Sequence, residues 1–130
     1  TNADLDNATY ESAEKQYLDN NTSKAIKLFN AYLNDFPRGL HALPSHFYLA
    51  QLYYKEDLKG NAAPHYKAVI ETSSNEFTEQ SLTRLSEIHI DDANWVEAIE
   101  ILERLEAEAN FPQNVVYAQS NLMKANYKLK

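Results

Sequence analysis

Apolar and polar residues alternate along this chain with the period of a helix from one end to the other. Tyr10, Ala13 and Tyr17, followed by Ala25, Ile26, Phe29 and Leu33, keep the three-to-four spacing that lines up side chains on one helix face. Asp19-Asn20-Asn21-Thr22 breaks the pattern as a turn, with Asn21 or Thr22 placed to cap the next helix, and Pro37 and Gly39 end it. The first pair of helices is therefore predicted over about residues 4–19 and 22–35. A second pair opens near Pro44-Ser45. Phe47, Leu49, Ala50, Leu52, Tyr53 and Tyr54 are too apolar for a helix with one wet face and suit one sandwiched between neighbours. After a turn at Asp57-Leu58-Lys59-Gly60-Asn61, Asn61 is expected to cap a helix over about 62–73, with Pro64 in its first turn and Ser73-Ser74-Asn75 as its end. The third pair begins at Thr78 and shows Leu82, Leu85, Ile88 and His89 on one face. It turns at Asp91-Asp92-Ala93-Asn94 and continues from Trp95 to Ala109. In that last helix Val96, Ile99, Leu102, Leu105 and Ala109 are expected inside. Glu97, Glu100, Glu103, Arg104, Glu106 and Glu108 are expected outside, with Glu100 and Arg104 as an i,i+4 pair contributing about 0.3–0.5 kcal/mol. Gln113 to about Lys128 forms a seventh helix. No stretch alternates with period two, so no strand is predicted.

The pattern repeats. Ala25, Ala62 and Ala98 recur at intervals of 37 and 36, each followed four positions later by Phe29, Tyr66 or Leu102 and seven positions later by Tyr32, Val69 or Leu105. A fixed period in this range marks stacked copies of one supersecondary unit. The fold class is all-α, with units at about 4–37, 43–76 and 78–112 and a partial one at 113–130. Each alanine falls in the first turn of a second helix, where a small side chain lets the two helices of a hairpin approach to about 8–10 Å. Ala62→Leu is accordingly expected to destabilise more than Ala68→Leu.

Composition narrows the function. A hydrophobic fraction of 44% supplies a core, and the length suits one domain. A net charge of −7 works against non-specific binding to nucleic acid or to an anionic membrane surface, and no apolar run is long enough to insert in a bilayer. Without cysteine there is no disulfide framework, thiolate metal site or cysteine nucleophile. The chain begins at Thr1 and stops at Lys130 inside a helical pattern, and it reads as a piece of a longer protein.

No chemistry-bearing motif stands out. His41 and His46 are five apart, too far for i,i+4 ligation on one helix face, and His65 and His89 have no fixed neighbour, so each histidine is read as structural or superficial and no metal is expected. Asp91-Asp92 reads as a turn, and the glutamates from Glu97 to Glu108 read as a solvated face. Two isolated glycines build no phosphate-cradling loop, and no Gly-x-Ser-x-Gly elbow is present. No catalytic residue or cofactor is assigned.

With these residues placed, the chain resembles tetratricopeptide (TPR) repeats. Leu49-Ala50-x-x-Tyr53 is similar to the family's first-helix pattern, and Ala62, Tyr66 and Val69 to its second-helix positions. Repeat three offers Leu85-Ser86, Trp95, Ala98, Leu102 and Leu105, and repeat one offers Ala13, Ala25, Phe29, Tyr32 and Pro37. Asn121-Leu122-Met123 stands where the family often has Asn-Leu-Gly. The period is longer than the family's usual 34. Leu33 to Pro37 and Tyr53-Tyr54-Lys55 resemble the longer repeats of bacterial envelope TPR proteins, among them the Tol–Pal partner protein and the barrel-assembly lipoprotein. Residues 77–106 and 117–127 are similar to large TPR proteins of Bacteroidota.

The resemblance implies a right-handed superhelix of about seven helices, three and a half repeats, whose first helices line a concave groove. The family's groove positions fall on Tyr10, Glu14 and Tyr17; on Phe47, Tyr48, Gln51 and Tyr54; on Thr83, Arg84 and Glu87; and on Ser120 and Lys124. Tyr10 and Glu14 replace the Lys–Asn pair of chaperone-tail clamps, Tyr48 replaces another Asn, and only Arg84 survives, so such a clamp is not expected. The implied function is a non-catalytic protein-interaction module that binds a peptide or protein segment. It would be periplasmic or outer-membrane-associated, with the cytoplasm as the alternative. Alanine at Phe47 and Tyr54 is expected to weaken partner capture without unfolding. Two other readings are a scaffold segment inside a larger solenoid, with self-association through the C-terminal helix, and an accessory domain of a sensory or enzymatic protein.

Overall fold

Every residue from 1 to 130 is described in the computed structural model, which is all-helical. The seven helices are α1 (Asn2–Leu18), α2 (Thr22–Asp35), α3 (Ala42–Lys55), α4 (Lys59–Ile70), α5 (Thr78–Asp91), α6 (Trp95–Glu108) and α7 (Pro112–Lys128). No helix is long and apolar enough to cross a membrane.

Local sequence explains most boundaries. Thr1 caps α1 by accepting the Asp4 amide at 3.1 Å, while the Asp4 side chain reaches back to the first backbone nitrogen. Pro112 opens α7, where a missing N–H costs nothing. The turns inside the three hairpins share one geometry. Asn20, Asp57 and Ala93 have φ of 60°, 60° and 57°, the left-handed region. In each turn the amide of that residue bonds back three positions (Asn20 to Tyr17, Asp57 to Tyr54, Ala93 to Ile90). The next amide bonds back five positions (Asn21 to Gln16, Leu58 to Tyr53, Asn94 to His89). This pair of bonds closes a helix on a left-handed residue. The three turns repeat at the 37- and 36-residue spacing of the alanines.

Several boundaries and contacts differ from the sequence reading. Asn21 and Asn94 precede α2 and α6, yet neither side chain caps its helix, and Asn21 Nδ2 instead donates to Gln16 Oε1 at 2.8 Å. The fourth helix starts and ends about three residues earlier than expected, because Leu58 already accepts the Asn61 and Ala62 amides. Pro64 therefore lies inside α4 rather than in its first turn. Val96 is 64% exposed rather than internal. Arg104 pairs with Glu108 at 2.8 Å and donates to the Ile70 carbonyl, not to Glu100.

The chain forms two compact units, Thr1–Val69 and Ile70–Lys130. In the first, α2 packs against α1 and α3. Tyr10, Ala13, Ala25, Phe29, Tyr32, Leu49 and Leu52 form its core, with Tyr17, Tyr48 and Tyr53 against it. In the second, α6 packs against α5 and α7 around Leu82, Ala98, Leu102, Leu105 and Ala118. All nine residues of the repeated small–large–large pattern are buried without measurable exposure. The same holds for Ala13, Ala50 and Ser86, the small residues of the three first helices.

Candidate functional site

Two carboxylates tie successive hairpins together and set where the first helices lie. Asp6 projects from the same face of α1 as Tyr10, Ala13 and Tyr17 and is 5% exposed. Its Oδ1 accepts the Tyr32 hydroxyl at 2.5 Å and its Oδ2 accepts the Leu40 amide at 2.9 Å. The Tyr32 oxygen in turn accepts the His41 amide at 2.8 Å, and the His41 ring stacks on Tyr10 at 4.2 Å. Burial and then the Asp6 bond push the Tyr32 hydroxyl up to about 12. Gly39 passes so close that a Cβ there would lie 2.5 Å from both Asp6 Oδ2 and Tyr32 Oη. In the second unit Glu79 has the equivalent task. Its oxygens accept the amides of Asn110 at 2.6 Å and Phe111 at 3.2 Å and the Asn114 side chain at 2.7 Å, fixing the start of α7. Desolvation alone would raise the Glu79 carboxyl, but these three donors outweigh it and hold it below the usual carboxylate range.

Fixing α7 beside α5 leaves an open cleft of about 510 Å³ between the two helices. Thr83, Arg84 and Glu87 line one wall, and Phe111, Asn114 and Tyr117 line the other, with Glu76 and Gln80 at its rim. Arg84 Nη1 lies 3.1 Å from Glu87, and the Tyr117 hydroxyl is 2.8 Å from Ser86 Oγ. Phe111 is 58% exposed, so the cleft combines an accessible ring with carboxylates and one guanidinium.

The structure thus brings Thr83, Arg84 and Glu87 together but leaves Ser120 and Lys124 outside the cleft. Ser120 is exposed elsewhere on α7, and the Lys124 ammonium sits 5.9 Å from the Trp95 ring of α6. In the first unit Tyr10 and Phe47 are core residues, 6% and 7% exposed, and offer little surface to a ligand. Alanine at Phe47 would cost about 3–5 kcal/mol, so it is no test of binding. The Tyr10 hydroxyl donates to Glu14 at 3.1 Å, and burial followed by this carboxylate raises its pKa. Tyr17 and Tyr48 meet at 4.7 Å, Gln51 accepts the Tyr66 hydroxyl, and Tyr54 lies under the Lys59 ammonium at 5.6 Å. Of these, the predicted groove residues Tyr17, Tyr48, Gln51 and Tyr54 are half-buried.

Sequence reasoning missed Asp6, Glu79 and the contact of His46 with His65, whose Nδ1 atoms are 2.9 Å apart. A signal for the carboxylates was present: Asp6 and Glu79 are 73 residues apart, two periods, and each begins a row of inward-facing positions. For the histidines none was, because they stand on different helices with unrelated spacing. No third ligating side chain joins them.

Compared with models of known protein families and with curated proteins, the sequence matches none.

Proposed function

We propose that the hairpins are TPR-like repeats with that family's right-handed stacking, and that the chain is a non-catalytic module that binds an extended protein segment. The envelope location implied by the resemblance belongs to the same proposal. What carries the reading is the α5–α7 cleft. It is formed by first helices, it holds Thr83, Arg84 and Glu87, and it presents both an accessible ring and hydrogen-bonding groups. Peptide recognition of this kind combines an aromatic contact with satisfied polar groups. Its volume falls in the range of ligand clefts, about 300–1,000 Å³.

The test places a photo-crosslinking residue at Gln80, on the rim, and captures the partner from the cells that make the protein. Glu87→Lys combined with Phe111→Ala should then lower affinity for the captured partner by about tenfold or more. Glu103→Lys, on the exposed face of α6, should leave it unchanged. Equal affinity for all three proteins would remove the cleft from consideration.

A further inference from the structure

Both walls of the α5–α7 cleft belong to the second unit, and the charge there is one-sided. Residues 70–130 hold eleven carboxylates against five lysines and arginines, so this unit carries −6 of the chain's net charge of −7. Among the cleft residues Glu76, Glu79 and Glu87 stand against one cation, Arg84, and Glu87 already engages it at 3.1 Å. Neither Glu76 nor Glu79 has a lysine or arginine within ion-pair distance. The three donors to Glu79 are neutral amides, so its charge is hydrogen-bonded but not balanced.

Where α5 starts, the cleft combines two carboxylates with a ring. Glu76 stands just ahead of the helix and is exposed. Glu79 uses three of the roughly four acceptor sites that a carboxylate offers. The accessible ring of Phe111 is its neighbour, because Glu79 Oε2 holds the Phe111 amide at 3.2 Å. The acidic side chains do not converge as the ligands of a metal ion do, so the cation that suits them is an extended organic one. A planar guanidinium meets both demands: its face stacks on a ring while its N–H edge donates to carboxylates. An ammonium is a compact point charge and makes less use of the ring. An acidic segment would add like charge to a cleft that already holds three carboxylates and one cation.

We infer that the segment bound in the cleft presents an arginine here, its guanidinium stacked on Phe111 and donating to Glu76 and Glu79. The inference rests on the cleft being the binding site and adds the chemistry of its occupant. The surplus of carboxylates on the whole unit would also speed the approach of such a basic segment, an effect that salt weakens.

The probe is a short peptide of glycine and serine, blocked at both ends, with one central arginine. Matched peptides carry lysine, citrulline or glutamate in its place, citrulline being the uncharged counterpart of arginine. Titrated into the full chain and followed by nuclear magnetic resonance, the arginine peptide should shift the amides of Asn110, Phe111 and Asn114 saturably, since these lie on Glu79. The lysine peptide should bind about threefold more weakly and the citrulline peptide about tenfold. Glu76→Gln and Phe111→Leu should each weaken the arginine peptide about threefold. Glu103→Gln removes the same charge from the exposed face of α6 and should leave binding unchanged. Glu76 and Phe111 are exposed, and unshifted amides elsewhere in the spectrum would verify that both variants fold. Equal binding of the arginine peptide with the lysine, citrulline or glutamate peptide, or equal effects of Glu76→Gln and Glu103→Gln, would overturn the arginine assignment, and capture through Gln80 would still decide whether the cleft binds a partner. If the peptide series behaved as expected but Glu87→Lys with Phe111→Ala left the captured partner's affinity unchanged, the cleft reading itself would fall, and the arginine assignment with it.

Discussion

Replacing Ala93 by glycine should stabilise the protein. Ala93 ends α5 with φ of 57°, and it is the one of the three left-handed turn residues that is neither Asn nor Asp. An L-residue in this conformation costs about 1–2 kcal/mol because Cβ crowds the carbonyl oxygen. Glycine avoids the clash but loses about 0.5–1 kcal/mol through its greater freedom in the unfolded chain. The expected net gain is about 0.5–1 kcal/mol. The amides of Ala93 and Asn94 keep their bonds to Ile90 and His89 in the variant, since neither involves a side chain. Ala107→Gly is the contrast within the same unit: Ala107 is exposed in the last turn of α6, and glycine there should lose about 0.5–1 kcal/mol. Urea unfolding followed by both circular dichroism and Trp95 fluorescence measures the two changes and tests whether the probes coincide. Asp57→Gly and Asn20→Gly should gain only a few tenths of a kcal/mol, since Asp and Asn tolerate the left-handed region better. If Ala93→Gly lost stability as Ala107→Gly does, the turn geometry assigned to all three hairpins would be wrong.

Three other outcomes follow from the packing. Ala62→Leu should cost about 1–3 kcal/mol, because Ala62 is fully buried; exposed Ala31→Leu is the better comparison, since Ala68 is itself half-buried, and equal midpoints for the Ala62 and Ala31 variants would refute a tight hairpin contact. Gly39→Ala should cost about 1–3 kcal/mol by driving a methyl group into Asp6 and Tyr32, and a variant as stable as the parent in the same unfolding assay would mean that the Asp6 link is not formed in solution. His65 is pushed down from 6.5 to about 4 by burial and then by His46, so the folded chain binds fewer protons than the unfolded one across that interval. Its contribution is complete above the unfolded value and is lost as pH falls toward the folded one, with solvent screening at this half-exposed site reducing the size of the loss. His65→Phe should flatten stability against pH across that interval, and an unchanged slope would rule the pair out as its source.

Much of the fold could be read without coordinates because helical periodicity is a local property. The apolar rows, the three turn positions and the buried alanines all follow from spacing along the chain, and helix boundaries moved by only a few residues. The errors have specific causes. Val96 stands two positions before Ala98, about 200° round the helix, and so on the side of α6 opposite the buried face of Ala98, Leu102 and Leu105. Arg104 reaches Glu108 instead of Glu100 because the Ile70 carbonyl draws its guanidinium toward that end of the helix.

The candidate site was legible only in part. Thr83, Arg84 and Glu87 follow one another on α5, so their common wall is a consequence of helix geometry. That Phe111 and Tyr117 form the opposite wall depends on Glu79 gripping the amides at the start of α7, a contact across more than thirty residues. The burial of Tyr10 and Phe47 was equally hidden, since an aromatic residue has the same spacing whether its neighbour is solvent or a second helix.

Period and polarity are thus sufficient for the number of helices, their pairing into hairpins and the close-contact residues, since each is set by neighbours a few positions away. Which carboxylate meets which amide, which tyrosines turn inward and where a cleft opens depend on distances between helices remote in sequence. Those distances are settled when side chains of different repeats compete for the same space, and only the folded chain records the result.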